Sequence, residues 1–409
     1  MDARPQALMG GLADTLTGLR VLDLSSNLAG PLCAMVMAEL GADVIKVERA
    51  GSGEDTRLLP PRWHDWGTVF IAVNRGKRSL ALDLKTDEAR EALGRLIEQA
   101  DVLVESFGPG AAERLGLAPE QVRERNPRII HVTISAFGDG PIGRTLPGYD
   151  ALIQAFSGMM DMTGHPGQPP ARVAASAVDL STGLWATVAV LAALRRGEGA
   201  HVNAALVDSA FMLQCHQLIG YLATGEPPQR LGSGGPSTAP YEAFQAADGW
   251  VVIAGANQAQ WERMCPVLGL EGLPHDERFA TTIDRVRNRE PLRALIAEKV
   301  APEPVQTWID RLGAVGVGAG RVNNLSEALE HPLVAERGLL VPSDPEGPLH
   351  GLAQLRLPID ADGTCLRREP PRLGEHSAQV LAEAGFDGEK IEVLVCARAR
   401  RVDSGATAG

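Results

Sequence analysis

Aromatic side chains make up only 4% of the 409 residues, with three tyrosines in all. A core so poor in rings must be filled by Ala, Val and Leu, which suits helices packed on a parallel sheet better than a β-sandwich. The cysteines are few and scattered: Cys33, Cys215, Cys265, Cys365 and Cys396 show no C-x-x-C spacing. That tells against a disulfide framework or a zinc site and reads as reduced thiols. None of the nine histidines falls in an H-x-x-x-H or H-E-x-x-H arrangement, so no metal is expected. The turn after the first apolar run reads Ser26-Asn27-Leu28-Ala29-Gly30-Pro31 and lacks G-x-G-x-x-G, which argues against a dinucleotide-dependent oxidoreductase. No G-x-S-x-G nucleophile elbow occurs either. Positive charge is the minority, 39 Lys and Arg against 51 Asp and Glu for a net −12, and a general nucleic-acid or anionic-membrane binder is disfavoured. No run reaches about 18 uninterrupted apolar residues. The first residues lack the basic and apolar stretches of a signal peptide, so a cytoplasmic protein is the expectation.

What is present is an α/β pattern. Residues 19–26 and 43–49 read as strands around a helix at 31–41, with Pro31 at its start and Gly41 at its end. The alternation continues through strand 79–84, helix 86–99, strand 101–106, a short helix at 119–125 and strand 129–135. This predicts a parallel sheet covered by helices on both faces. His131, inside an apolar strand, reads as a satisfied core histidine. Helices dominate from Tyr149 to about Ala223, and Gly225–Pro240 is rich in Pro, Gly and Ser, as a linker or active-site loop would be. A second unit begins near Tyr241 with strand, Asp-Gly turn, strand and helix, followed by helices at 289–299 and 304–313. The expected division is a first large-domain part at 1–205, linker and loop at 206–239, a small domain at 240–328, a return linker at 329–370 and a closing part at 371–409. The last helix lies near 375–385, and the tail Val402–Gly409 reads as disordered.

The segment Val178-Asp179-Leu180-Ser181-Thr182-Gly183 places one carboxylate among small residues where a long apolar helix begins. Asp179 reads as its N-cap, satisfying free backbone N–H groups. The cap is the commoner role of such an Asp, and it is compatible with a nucleophile, because the helix dipole favours the ionised form that attack on an activated acyl group requires. Basic residues gather at the strand ends: Lys46 and Arg49, then Arg75, Lys77 and Arg78, then Lys85, with Arg114 after the Phe107-Gly108-Pro109-Gly110 loop. Carboxyl ends of parallel strands are where ligands bind in open α/β sheets, and a nucleotide-like anion would suit that edge.

Several motifs in order resemble family III CoA-transferases, the CaiB/BaiF group, over almost the whole chain. They are G-L-R-V-L-D-L with Ala29-Gly30-Pro31, the run Gly41–Arg49, the run Asn74–Leu84, F-G-P-G with Arg114, Gly148-Tyr149-Asp150, the Asp179 segment, Ala239-Pro240-Tyr241 and Leu373–His376. The resemblance implies a Rossmann-like large domain built from both chain ends, a smaller central α+β domain, and an interlocked homodimer. It implies transfer of CoA from an acyl-CoA to a carboxylic acid through a mixed anhydride and an aspartyl-CoA thioester on Asp179, with coenzyme A as substrate and no permanently bound cofactor. The implied CoA contacts are Leu28, Ala29, Arg49, Leu82, Asp83, Leu84, Lys85, Ser106, Phe107, Gly108, Arg114 and Tyr149, with Gly234 and Gly235 in the loop facing the acyl group. Leu28 and Ser106 stand where formyl-CoA transferase has Gln and Asn, which speaks against formyl or oxalate specificity. The related α-methylacyl-CoA racemases use a His where this chain has Tyr149, and an unperturbed phenol, with a pKa near ~10, is a poor base at neutral pH. A catalytically silent CoA-binding protein is the third alternative.

Overall fold

The computed structural model describes residues 12–359 and 368–395. The tail Val402–Gly409, Cys365, Cys396 and residues 1–11 of the N-terminus lie outside them. The chain divides into two compact units, one of Met1–Ser157, Ala174–Leu218 and Arg337–Gly409, the other of Gly158–Val173 and Ile219–Glu336.

In the first unit six strands run parallel: β1 (Arg20–Leu24), β2 (Asp43–Arg49), β3 (Arg78–Leu82), β4 (Val102–Glu105), β5 (Ile130–Ser135) and β6 (Ala200–Ala205). Their order is β3-β2-β1-β4-β5-β6, so the direction of winding reverses between β1 and β4. Such a reversal opens a crevice at the carboxyl ends of the two central strands. The inner strands are apolar on both faces because helices cover both, and Val21, Leu22, Val102, Leu103 and Val104 are buried.

Helices of this unit include α1 (Ala29–Glu39), α2 (Asp87–Glu98), α3 (Pro119–Arg125), α4 (Asp150–Phe156), α5 (Ala177–Arg196) and α6 (Leu206–Leu213). Thr86 Oγ1 accepts from the Ala89 amide and starts α2, whose buried residues Ala89, Ala92, Leu93, Leu96 and Ile97 follow helical spacing. The last described stretch returns to the same core. Val380 and Leu381 of a late helix (Ser377–Glu383) pack with Leu80, Leu82, Leu93 and Leu96, and Ser377 Oγ accepts from the Ala81 amide at 3.1 Å.

The helices expected up to about Ala223 include α6 and α7 (Cys215–Thr224), so the first part of the segment 206–239 is helical and the glycine-containing loop follows it. The expected return linker carries a helix at Pro332–Glu336 and a ribbon pairing Leu340–Pro342 with Ala353–Leu355. α5 is long and apolar enough by length and composition to cross a membrane. Its sequence is not one uninterrupted apolar run, because Thr182, Gly183 and Thr187 fall within it.

The second unit is built on an antiparallel sheet of β7 (Tyr241–Ala246), β8 (Gly249–Ala254) and β9 (Gly318–Arg321), with β8 in the middle. Helices α8 (Gln258–Val267), α9 (Arg289–Val300) and α10 (Val305–Ala314) enclose its core around Trp261, Met264, Phe279, Leu292 and Ile296.

Candidate active site

The turn from β1 into α1 stands over a buried ionic cluster. Lys77 Nζ donates to Asp23 Oδ2 at 2.7 Å, to the Pro31 carbonyl at 2.9 Å and to Asn74 Oδ1 at 2.8 Å. Lys46 Nζ donates to the Ser25 carbonyl at 3.0 Å and faces Glu54 Oε2 at 3.1 Å. Burial alone would raise the Asp23 carboxyl, but Lys46 and Lys77 outweigh it and hold the group at about 2. Burial pushes Lys77 down to about 8, with Lys46 adding to the effect and Asp23 opposing it. These lysines therefore fasten the turn from below and do not form the solvated basic edge expected of them. Arg75 is likewise buried beside Glu39, and Arg78 pairs with Asp43 and Glu383 at the amino end of its strand. Of that basic set, Arg49, Lys85 and Arg114 remain exposed.

A cavity of about 470 Å³ lies at the winding reversal. It gathers Leu28, Ala29, Ser106, Phe107, Gly108, Tyr149 and Asp179, all expected site residues. Arg49, Leu82, Asp83, Leu84, Lys85 and Arg114 do not line it. Arg49 and Leu82 pair in register at the carboxyl edge of the sheet, with Asp83, Leu84 and Lys85 in the turn that follows, while Arg114 folds back towards Gly110. Gly234 and Gly235 belong to the second unit.

Asp179 is the third residue of α5, and Ser176 occupies the cap position, so the expectation that Asp179 is the N-cap is corrected. The free amides are served from another helix. Asp150 Oδ2 accepts from the Val178 amide at 3.0 Å and the Asp179 amide at 3.3 Å, while its Oδ1 accepts from Gln154 Nε2 at 2.7 Å. Asp179 is half-buried, and the positive end of a 20-residue helix favours negative charge there. Gly183, one turn on, permits the close crossing with α1, since a Cβ there would lie 2.5 Å from the Ala29 carbonyl oxygen. Asp150 was visible in sequence only as part of a motif; its role depends on the amino ends of α4 and α5 meeting, which joins residues 28 positions apart.

The cavity floor holds further groups that sequence reasoning missed: Glu105, Thr133 and His201. His201 Nε2 lies 3.2 Å from Thr133 Oγ1, and Glu105 Oε2 accepts from the Phe107 amide at 2.8 Å. Burial pushes the Glu105 carboxyl up and the His201 imidazole down. His131 is buried as expected but not satisfied. Neither ring nitrogen has a hydrogen-bond partner among the described residues, and Nε2 is 3.9 Å from Glu105 Oε1. Burial, helped by neighbouring His201, lowers it to about 4, so it is a neutral imidazole.

A doubly wound parallel sheet with a crevice at its reversal puts the protein in the α/β class whose ligands bind there, and Asp179 lines that crevice. The profile of CoA-transferase family III matches residues 16–377. The succinate–glutarate CoA-transferase of Agrobacterium fabrum is 37% identical, over 90% of this chain and 95% of its own length. The succinyl-CoA:mesaconate CoA-transferase of Haloarcula hispanica is 40% identical, over 92% and 97%. A crystal structure of a CaiB/BaiF family protein from Brucella suis superposes with a TM-score of 0.79 at 37% identity, covering 90% of this chain and 99% of that one. The chain belongs to CoA-transferase family III and is an acyl-CoA:carboxylate CoA-transferase.

Proposed function

We propose that the enzyme moves CoA between dicarboxylic acids of about four to five carbons with Asp179 as nucleophile. The Asp179 carboxylate attacks the donor thioester carbonyl, the C–S bond breaks, and a mixed anhydride forms with release of CoA thiolate. The thiolate then attacks the aspartyl carbonyl, expelling the donor acid and leaving an aspartyl-CoA thioester. The acceptor carboxylate attacks that thioester, and the freed thiolate takes the new acyl group and restores Asp179. Activation passes between acids without ATP, since each step trades one acyl bond for another.

The observation that carries this reading is the half-buried Asp179 in the first turn of α5, in one cavity with Leu28, Ala29 and Ser106–Gly108. The substrate class is supported by the names of the Agrobacterium and Haloarcula relatives. On this reading Arg49, Lys85 and Arg114, exposed cations, meet the CoA phosphates, and the loop with Gly234 and Gly235 faces the acyl group. A second copy of the chain as partner is supported by the exposed Leu180, Leu184, Trp185, Val188, Phe211 and Met212 on α5 and α6, since contiguous apolar surface marks interfaces. A cytoplasmic location is part of the same proposal.

Incubation with succinyl-CoA or glutaryl-CoA is expected to leave a covalent adduct on Asp179, detected by intact-protein mass spectrometry and trapped by hydroxylamine. The Asp179→Ala variant should form none. No adduct across an acyl-CoA panel, together with α-deuterium exchange into 2-methylacyl-CoA, would overturn transfer in favour of racemisation.

A further inference from the structure

The loop of Gly232-Ser233-Gly234-Gly235 is held in a specific way within the second unit. At each of its three glycines a side chain stands where a Cβ would be. His165 Nδ1 is 2.6 Å from that position at Gly232, Arg289 Nη1 is 3.0 Å from it at Gly234, and Tyr241 Cδ1 is 2.8 Å from it at Gly235. A larger residue at any of the three would require the neighbouring side chain or the loop to shift. Glycine is therefore required here for close approach rather than for flexibility alone.

Among these neighbours Arg289 makes the polar contacts. It is the first residue of α9 and is buried, and its Nη2 donates to the carbonyls of Gly235 at 2.6 Å and Thr238 at 3.2 Å. The Gly235 amide donates in turn to the Tyr241 carbonyl at 3.0 Å, and Ser233 Oγ accepts from the Ala243 amide at 2.9 Å. The charge is balanced by buried Glu242, whose Oε1 is 3.9 Å from Arg289 Nη1 and whose other oxygen pairs with Arg293. Nη1 itself is buried without a hydrogen-bond partner. A buried N–H left unsatisfied is costly, so this grip is strong at two carbonyls and incomplete at a third point. Such a contact holds a loop in place yet lets it shift, because rearrangement can recover the missing bond.

We propose that Arg289 is the positioning residue of the glycine loop and, through the loop, sets which acids the enzyme accepts. The selectivity part rests on the reading above that the loop faces the acyl group. Arg289 binds both carbonyls through Nη2 while its other nitrogen, Nη1, faces Glu242 Oε1 at 3.9 Å, and a single lysine ammonium lacks the second nitrogen for that two-sided reach.

The test uses the full chain with Arg289→Lys, Arg289→Gln and Gly234→Ala. The last keeps the arginine and crowds its Nη1. Amide hydrogen exchange is read for the peptide spanning 231–240, with α8 as internal reference. Adduct formation from succinyl-CoA is followed in a single turnover, and KM and kcat are measured for succinate, glutarate and a branched acid. All three variants are expected to exchange about tenfold faster in the loop and to raise KM for acceptor acids about tenfold, unequally among the acids, with Lys less severe than Gln. In the Arg289→Lys and Arg289→Gln proteins adduct formation should stay near the wild-type rate, so that the change falls on KM for the acceptor acids. Unchanged loop exchange in the folded Lys and Gly234→Ala proteins overturns the positioning role. Faster exchange with unchanged KM for every acid overturns the selectivity role. Failure of the underlying transfer reading is separate, since it appears as absence of adduct in the wild-type enzyme while loop exchange still responds to Arg289.

Discussion

Replacing Asp150 with Ala removes one carboxylate that serves three N–H donors: the amides of Val178 and Asp179 and the side-chain amide of Gln154. Asp150 is 5% exposed, so water does not readily replace it. Loss of a helix cap costs about 1–2 kcal/mol, and loss of the charged acceptor from the buried Gln154 side-chain amide adds about 1–3 kcal/mol. The expected destabilisation is therefore about 2–5 kcal/mol. The effect on chemistry is separate and larger. Without the Asp150 carboxylate the first turn of α5 loses the contact that fixes it, and the Asp179 side chain carried on that turn shifts with it. A displacement of about 1 Å at a reacting group costs on the order of 100-fold in rate. Asp150→Asn keeps an oxygen for the α5 amides, and Gln154 can turn its carbonyl to the new amide, so it should restore most of the stability and adduct formation to within about tenfold of wild type. Urea denaturation gives the first quantity, and single-turnover mass spectrometry of the Asp179 adduct the second. An Asp150→Ala protein with wild-type stability and wild-type adduct formation would refute the reasoning.

Gly183→Ala brings a methyl to 2.5 Å from the Ala29 carbonyl, so α5 and α1 must separate; a loss of about 1–3 kcal/mol and weaker protection by CoA in thermal melts are expected. His131 is lowered to about 4 by burial, so the folded protein refuses a proton that the unfolded chain takes up near pH 6.5. Stability is thus complete above that pH and declines as the pH falls towards 4, by up to ~3 kcal/mol; His131→Leu should flatten this part of the urea-denaturation profile. Lys77→Met leaves Asp23 buried with only the more distant Lys46 at 3.5 Å, and a cost of about 3–5 kcal/mol is expected, relieved in the Asp23→Asn/Lys77→Met double variant of a thermodynamic cycle.

The α/β class was legible because strands such as Val102–Glu105 and helices such as Asp87–Glu98 carry period and caps in their own residues. Asp179 was legible as the residue of interest for the same local reason, a lone carboxylate at the start of an apolar helix. The basic edge was misread because charge in a sequence carries no sign of burial. Lys46 and Lys77 look like Arg49 and Lys85 until the sheet closes over the first pair and leaves the second exposed. His131 was rightly placed in the core, but its two unpartnered nitrogens depend on what the adjacent strands bring opposite it.

Local pattern by itself determined the alternation of strands and helices, the apolar character of α5 and the presence of a carboxylate in its first turn, because each depends on neighbours a few residues apart. Only the tertiary structure decided that Asp150, and not Asp179, caps that helix, that two lysines hold the β1 turn from beneath, and that Arg289 grips the glycine loop. Those contacts join residues 28, 54 and 54 positions apart, and their partners are chosen by packing and burial, which no local window contains.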